Sequence, residues 1–105
     1  MPARTNGAPR WEVHASGFII KDLERIQRRA AGQGRGEEVL AAMRQIYRRL
    51  RRNPRTAGEP YYYLPGLRMQ VRTITVRPVV VHFGVCDDHP LVFIKGVKLL
   101  SSPNQ

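Results

Sequence analysis

The chain has 105 residues and a mass of 12.0 kDa, which fits one domain with one small core and excludes a core on each side of a large sheet. Its 18 lysines and arginines outnumber its 8 aspartates and glutamates, and the formal charge of +10 favours a polyanionic partner, because cations that neutralise phosphates release condensed counterions. One cysteine excludes an internal disulfide framework, three scattered histidines give no metal-ligand spacing, and no apolar run approaches the about 20 residues of a membrane span.

Arginine dominates the cationic side chains, since only three of the 18 are lysines. The guanidinium group binds phosphate through paired hydrogen bonds and stacks on bases, which favours a nucleic acid as the partner. A genome rich in G and C would also enrich arginine over lysine, so the bias alone does not establish nucleic-acid binding.

Residues 1–10 contain two prolines and no apolar stretch, and we expect a flexible tail without a signal peptide and hence a cytoplasmic protein. Apolar and polar residues then alternate from Trp11 to Ser16, which predicts a strand, and Ser16 is placed to cap a helix. From Phe18 the spacing becomes helical. The apolar residues of this first helix lie on one stripe: Ile19, Leu23, Ile26 and Ala30.

A glycine-rich turn at 32–36 leads to a second helix that ends before Asn53-Pro54. Acidic residues in its first turn and arginines in its last turn complement the helix dipole. An apolar stripe, supported by Leu40 and Tyr47, predicts its buried face: Val39, Met43, Ile46 and Leu50.

The polar side of the second helix carries a run of arginines that almost no acid interrupts. Residues at intervals of mostly three or four share one broad side of the helix and its end: Arg44, Arg48, Arg51, Arg52 and Arg55. Such a surface is an electrostatic footprint for phosphate, and it is an equally good docking stripe for an acidic protein.

Residues 57–66 hold glycines, prolines and the triplet Tyr61-Tyr62-Tyr63, which predicts a loop. Tyr61 and Tyr63 are candidates to stack on RNA bases, and Tyr63 could alternatively supply a hydroxyl group. Packing of this loop over the core is the other interpretation.

The rest of the chain predicts three strands. The first alternates from Leu67 to Val71 and changes parity after Thr73, which indicates a bend, a bulge or a turn. The second covers 79–85, a polar hairpin loop covers 86–90, and the third covers 91–100 before a tail at 101–105. We therefore predict an α+β domain over 11–100, of order β-α-α-β-β-β, in which a twisted antiparallel sheet carries the helical hairpin on one face.

This order and spacing resemble those of the RelE/ParE toxin superfamily over roughly 11–100. The segments that carry the resemblance are Arg51-Arg52-Asn53-Pro54-Arg55, Leu64-Pro65-Gly66-Leu67-Arg68, Val76-Arg77, Val85-Cys86-Asp87-Asp88 and Leu91-Val92-Phe93-Ile94. The resemblance implies the toxin of a type II toxin–antitoxin pair, a monomer or weak dimer that forms a hetero-oligomer with an acidic antitoxin. RelE-like members cleave mRNA on the ribosome, whereas ParE-like members inhibit DNA gyrase by binding.

By the same resemblance, Arg68, Arg77 and Lys98, or Lys95 in place of Lys98, fall at the family's basic positions. Gln70 stands where a second basic residue is often found. The residues after Lys98 include neither the tyrosine nor the histidine that active ribonucleases of the family often carry there. These departures leave open whether the chain is an enzyme.

Metal-free RNA cleavage needs cations around the phosphate and groups that move protons. Arg68 and Arg72 are predicted to share a strand face, so that both could converge on one phosphate, and Arg72 is a candidate RNA contact. His82 is the candidate general acid or base. The alternative is a solvated polar face in which His82 is an ordinary polar member of a strand.

The sequence thus predicts an RNA-binding, toxin-like protein without a metal or cofactor, in which activity as a metal-independent endoribonuclease stays open. Two alternatives remain: a gyrase inhibitor that acts by binding, and a non-catalytic basic RNA-binding domain on the same scaffold.

Overall fold

The computed structural model describes residues 10–101, and within them the chain forms two α-helices and one sheet of five strands. The elements follow the order β1 (Glu12–Ala15), α1 (Gly17–Gly32), α2 (Gly36–Arg52), β2 (Glu59–Leu64), β3 (Met69–Val76), β4 (Val79–Cys86) and β5 (Leu91–Leu99). The predicted α+β class is confirmed. Apart from Arg10 and Ser101, the predicted tails lie outside the described residues.

The two helices begin and end where local signals place them. The hydroxyl oxygen of Ser16 accepts a hydrogen bond of 3.3 Å from the backbone N–H of Ile19, which confirms the predicted cap of α1. α2 ends at Arg52, immediately before Asn53-Pro54. Neither helix is long and apolar enough to cross a membrane.

The sheet has the strand order β1-β5-β4-β3-β2, and it is mixed because β1 pairs with β5 in parallel while every other pair is antiparallel. The prediction of a wholly antiparallel sheet is therefore wrong at one edge. An even number of chain reversals separates β1 from β5, so the last strand returns beside the first in the same direction.

The predicted loop at 57–66 is also wrong, because most of it is the edge strand β2. Its first five residues, 59–63, are all exposed, so the alternation of buried and exposed positions that predicts a strand is missing. Gly58 precedes this strand with φ 63°, a conformation that favours glycine. A β-carbon at this position would also overlap the carbonyl oxygen of Thr73. Tyr61 is an extra residue, a bulge between the pairs Pro60–Arg72 and Tyr62–Val71.

The core lies between the helical hairpin and one face of the sheet. Alternate residues of β4 line it, with Phe83 fully buried at the centre, and Ile46 and Leu50 of α2 are fully buried against them. The predicted apolar stripe of α2 is confirmed in these residues. Leu40 and Tyr47 were expected to support it, but 43% and 47% of their surface is exposed because they lie at the border of the stripe.

The change of parity within β3 reflects burial on two different faces of the sheet. β3 and β4 pair without interruption from Met69–Cys86 to Val76–Val79, so no extra residue or bend falls in β3 at Thr73. Ile74 is buried on the face that the helices cover, whereas Met69 and Val71 are buried on the opposite face. This second face carries no helix, and we call it the open face.

Candidate nucleic-acid interface

The side of α2 opposite its buried stripe presents a basic surface to solvent. We call it the arginine face; its members are Arg44, Arg48, Arg51 and Arg52. The ion pairs found within residues 10–101 all involve other side chains. These four cations are therefore not neutralised by carboxylates of the described chain and are available to an anionic partner.

Two nearby arginines contact aromatic rings. The guanidinium of Arg51 lies 5.6 Å from the ring centroid of Tyr47, and that of Arg55 lies 5.1 Å from the ring centroid of Trp11. Arg55 also donates a hydrogen bond of 3.2 Å to the carbonyl oxygen of Asp87. Arg55, predicted as an RNA contact, therefore connects the segment after α2 to the residue before β1 and to the turn after β4.

The predicted convergence of Arg68 and Arg72 on one phosphate is wrong. Arg68 lies in the turn before β3, at φ 49°, and its guanidinium pairs with Asp88 at 3.2 Å. Arg72 lies on the helix-covered face of β3, where it donates hydrogen bonds of 2.8 Å and 3.2 Å to the carbonyl oxygens of Ala57 and Gly58. One arginine stabilises a turn and the other fixes the entry into β2.

Arg77 and Lys98 lie at the other end of the sheet from Arg68. Arg77 is in the turn between β3 and β4, and a strand of eight residues, the length of β3, is about 25 Å long. Lys98 pairs with Val80 of β4 on the open face, near Arg77. Lys95 is exposed and is the bulged residue of β5. The structure brings Arg77 and Lys98 to one end, and it does not bring Arg68 to them.

Tyr63 is held by an acidic neighbour. Its phenol donates a hydrogen bond to the carboxylate of Asp87, and this bond, with smaller contributions from burial and from the charge of Asp87, raises the pKa of Tyr63 above its ordinary value. Burial and the charges of Asp87 and Asp88 raise the pKa of the Cys86 thiol in the same region. Both groups are thus in their protonated forms at neutral pH, and neither is poised to act as a base or nucleophile.

His82 lies on the open face, at the centre of the sheet. Its ring stacks on that of Tyr61, with centroids 5.6 Å apart and an angle of 25° between the planes. Its Nδ1 atom is buried and has no hydrogen-bond partner within residues 10–101. His82 shares the open face with Lys98, but it lies four positions along β4 from the end at which Arg68 is found.

Further rings lie beside His82 on the open face, and two of them, His14 and Phe93, were not predicted from the sequence as binding residues. His14 stacks on Phe93 across the β1–β5 pair, with centroids 5.4 Å apart, and Tyr61 lies 5.0 Å from Tyr62. The register of β5 with β4 places Phe93 on the open face. His14 lies beside Phe93 because β1 and β5 pair in parallel, and no local sequence pattern predicts that pairing. We call His14, Phe93, Tyr61, Tyr62 and His82 the open-face rings.

No group of three or more potential metal-ligating side chains occurs within residues 10–101. Neither a family model, nor a curated protein, nor a solved structure matches this chain. The functional argument therefore rests on the arrangement of the side chains.

Proposed function

We propose that this protein is the toxin-like component of a type II toxin–antitoxin pair and that it acts in the cytoplasm by binding RNA. The observation that carries the RNA-binding part is the arginine face, a set of cations on one side of α2 without carboxylate partners in the described chain. The net charge of +10 adds a long-range attraction to any polyanion. The order and spacing of the elements, which resemble those of RelE/ParE toxins, support the toxin-like part.

Binding is favoured over cleavage because the candidate catalytic groups are apart or engaged. Arg68 is paired with Asp88, and Tyr63 holds its proton in a hydrogen bond to Asp87. Arg77 lies at the far end of β3 from both. A cleavage site needs cations and proton-transfer groups around a single phosphate, and these side chains do not surround one.

The proposal includes an acidic antitoxin-like partner, and the second half of β5 is a suitable edge for it. β1 pairs with β5 only up to Ile94, so the edge beyond it carries no strand within residues 10–101. The N–H of Leu100 donates to the carbonyl of Pro78, and the alternation of an antiparallel ladder then turns the backbone groups of Val97 and Leu99 outwards. A groove at this edge is lined by Arg29 of α1 and by the ion pair of Arg25 with Asp22. Arg29 has no carboxylate partner within residues 10–101, which favours an extended acidic segment.

The test is a salt titration of RNA binding with two variants of equal charge. Arg44→Glu/Arg48→Glu reverses two charges of the arginine face, and Lys21→Glu/Arg28→Glu reverses two exposed charges of α1. We expect the first variant to bind a single-stranded RNA more weakly and to flatten the slope of log K against log salt by about 1.4, or about 0.7 for each lost phosphate contact. The second should keep the wild-type slope. Equal slopes in the two variants would show that only net charge matters and would overturn the arginine face as the site.

A further inference from the structure

We propose that the open face of the sheet binds the unstacked bases of single-stranded RNA, with the open-face rings as stacking platforms. This inference rests on the proposed RNA-binding function and assigns to it a second surface with a different chemistry. The arginine face offers charge, which any polyanion satisfies, whereas rings on a sheet face select for exposed bases.

The rings form two groups. One row of paired residues runs across all five strands and connects the two groups. The register places the members of this row side by side, in the order His14, Phe93, Gly84, Val71 and Tyr62. One group is the stacked His14–Phe93 pair at the β1 edge, and the other is Tyr62 with Tyr61 and His82 towards the β2 edge. Three strand spacings separate the backbones of Phe93 and Tyr62, a distance of about 14 Å.

The floor between the two groups is low and apolar. Gly84 has no side chain, and a β-carbon there would overlap the sulfur of Met69, whose side chain lies over this glycine. The centre of this face is thus covered by the apolar side chain of Met69, and rings lie on both sides of it.

The rings on the β2 side are accessible, although aromatic side chains usually bury much of their surface. Tyr61 and Tyr62 expose 63% and 45% of their surface, and no helix covers them within the part of the chain that the structure describes. The bulge at Tyr61 adds a ring that the regular alternation of β2 would not supply at this position. Aromatic faces left open in this way stack favourably on bases of any sequence.

The cations of β5 favour a nucleic acid strand as the occupant of the open face, and the two carboxylates that the described strands carry on this face, Glu12 and Glu59, lie on its edge strands β1 and β2. Lys98 lies on this face, and Lys95 is exposed at the bulge of the same strand, so two cations lie along β5 beyond its ring. The carboxylate of Glu12 near the β1 edge contacts the ring nitrogen of His14 at 3.1 Å. Lys95 lies two residues after the ring of β5, so a phosphate beside a base on that ring would meet this cation.

The experiment compares two polyanions, a single-stranded oligouridylate and heparin, because heparin has charge but no bases. Tyr61→Ala removes an exposed open-face ring, Tyr61→Phe keeps that ring, and Phe18→Ala removes an 85% exposed ring of α1 that lies off the open face. We expect Tyr61→Ala to weaken binding of the oligouridylate about 5- to 100-fold and to leave heparin binding unchanged. Tyr61→Phe and Phe18→Ala should both bind the oligouridylate as the wild type does.

The outcomes separate this inference from the proposed function. If Tyr61→Ala binds both polyanions like the wild type while Arg44→Glu/Arg48→Glu still weakens both, the open face is not a base-binding surface and the arginine face stands. If Tyr61→Ala weakens both polyanions equally, its effect is not stacking and the inference is likewise overturned. If the arginine variant leaves both affinities unchanged, the proposed phosphate-binding surface fails whatever Tyr61→Ala does.

Discussion

The phenol of Tyr63 donates a hydrogen bond to the carboxylate of Asp87 and thereby joins the edge strand β2 to the turn after β4. Two arginines hold the same turn, since Arg68 pairs with Asp88 and Arg55 donates to the carbonyl oxygen of Asp87. Side chains from three separate segments thus fix one short acidic turn. Three side chains that the sequence analysis proposed as functional, Arg55, Tyr63 and Arg68, thus stabilise the end of the sheet.

The Tyr63–Asp87 bond predicts a shift in the titration of one tyrosine. The neutral phenol donates the bond, and its ionisation would place two anions together, so the pKa of Tyr63 is raised above 10.0. The stability that this bond contributes is present below pH 10 and is lost as the pH rises through the raised pKa. The difference in tyrosinate absorbance between the wild type and Tyr63→Phe isolates this group and should give a midpoint above pH 10.

Asp87→Asn is the matched control for that titration, because it removes the charge and keeps an amide of similar size. In this background the same difference titration, with and without Tyr63→Phe, should move its midpoint down. A midpoint that is the same in both backgrounds would show that the hydrogen bond does not form in solution.

Arg72 and Arg48 should affect different properties, although both are arginines in a basic protein. Arg72→Met removes the donors to the carbonyls of Ala57 and Gly58, and we expect a loss of about 1–3 kcal/mol of folding free energy, or a fall in Tm of about 5 °C or more. Arg48→Met removes an exposed cation, and it should leave Tm unchanged while it flattens the salt dependence of RNA binding by about 0.7.

Thermal unfolding and salt titration of the two purified variants measure both properties. The result that would contradict this division is a flattened slope in Arg72→Met with an unchanged Tm. It would mean that Arg72 leaves the carbonyls to bind phosphate.

The sequence predicted the elements that have local signals and missed those that depend on distant partners. Both helices, the cap at Ser16 and the buried stripe of α2 follow from spacing and from residues next to one another in the chain. β2 gave no signal, because an exposed edge strand needs no alternation of apolar and polar residues. The parallel β1–β5 pair joins segments at opposite ends of the chain, and no local pattern encodes it.

The candidate site was predictable to a similar degree. The arginine face was recognisable because it lies on one helix, where spacing alone decides which residues share a side. The role of Arg72 was not predictable, because the sequence does not show which backbone carbonyls lie beside this arginine in the fold. The open-face rings come from four different strands, so only the sheet register shows that they belong to one surface.

The folding free energy should depend on which residue of α2 is truncated. Leu50 is fully buried, so Leu50→Ala should cost about 2–5 kcal/mol of folding free energy, and Ile46→Ala should cost a similar amount. Leu40→Ala is the matched control, because 43% of Leu40 is exposed and its loss should cost about 1 kcal/mol or less. Denaturant unfolding measures all three variants, and equal losses at Leu40 and Leu50 would contradict the placement of the stripe.

Expression of the wild-type chain in a bacterium tests binding against cleavage. If the protein acts by binding RNA, growth should stop without new ribosome-dependent mRNA ends. Arg77→Ala should still stop growth, because Arg77 lies in the turn between β3 and β4, outside the arginine face. Arg44→Glu/Arg48→Glu should relieve the arrest, and the charge-matched Lys21→Glu/Arg28→Glu should not.

Each remaining outcome of that experiment points to one alternative. Ribosome-dependent cuts that disappear in Arg77→Ala would show that this arginine belongs to a cleavage site that forms on the ribosome, and a Lys98→Ala variant would then test its neighbour at the same end of the sheet. Arrest with intact mRNA, together with inhibition of purified gyrase in a supercoiling assay, would show that the protein acts by binding a protein target. Normal growth would contradict the toxin-like role, and RNA binding by the purified protein would then be tested by the salt titration alone, because the charge on the arginine face does not depend on toxicity.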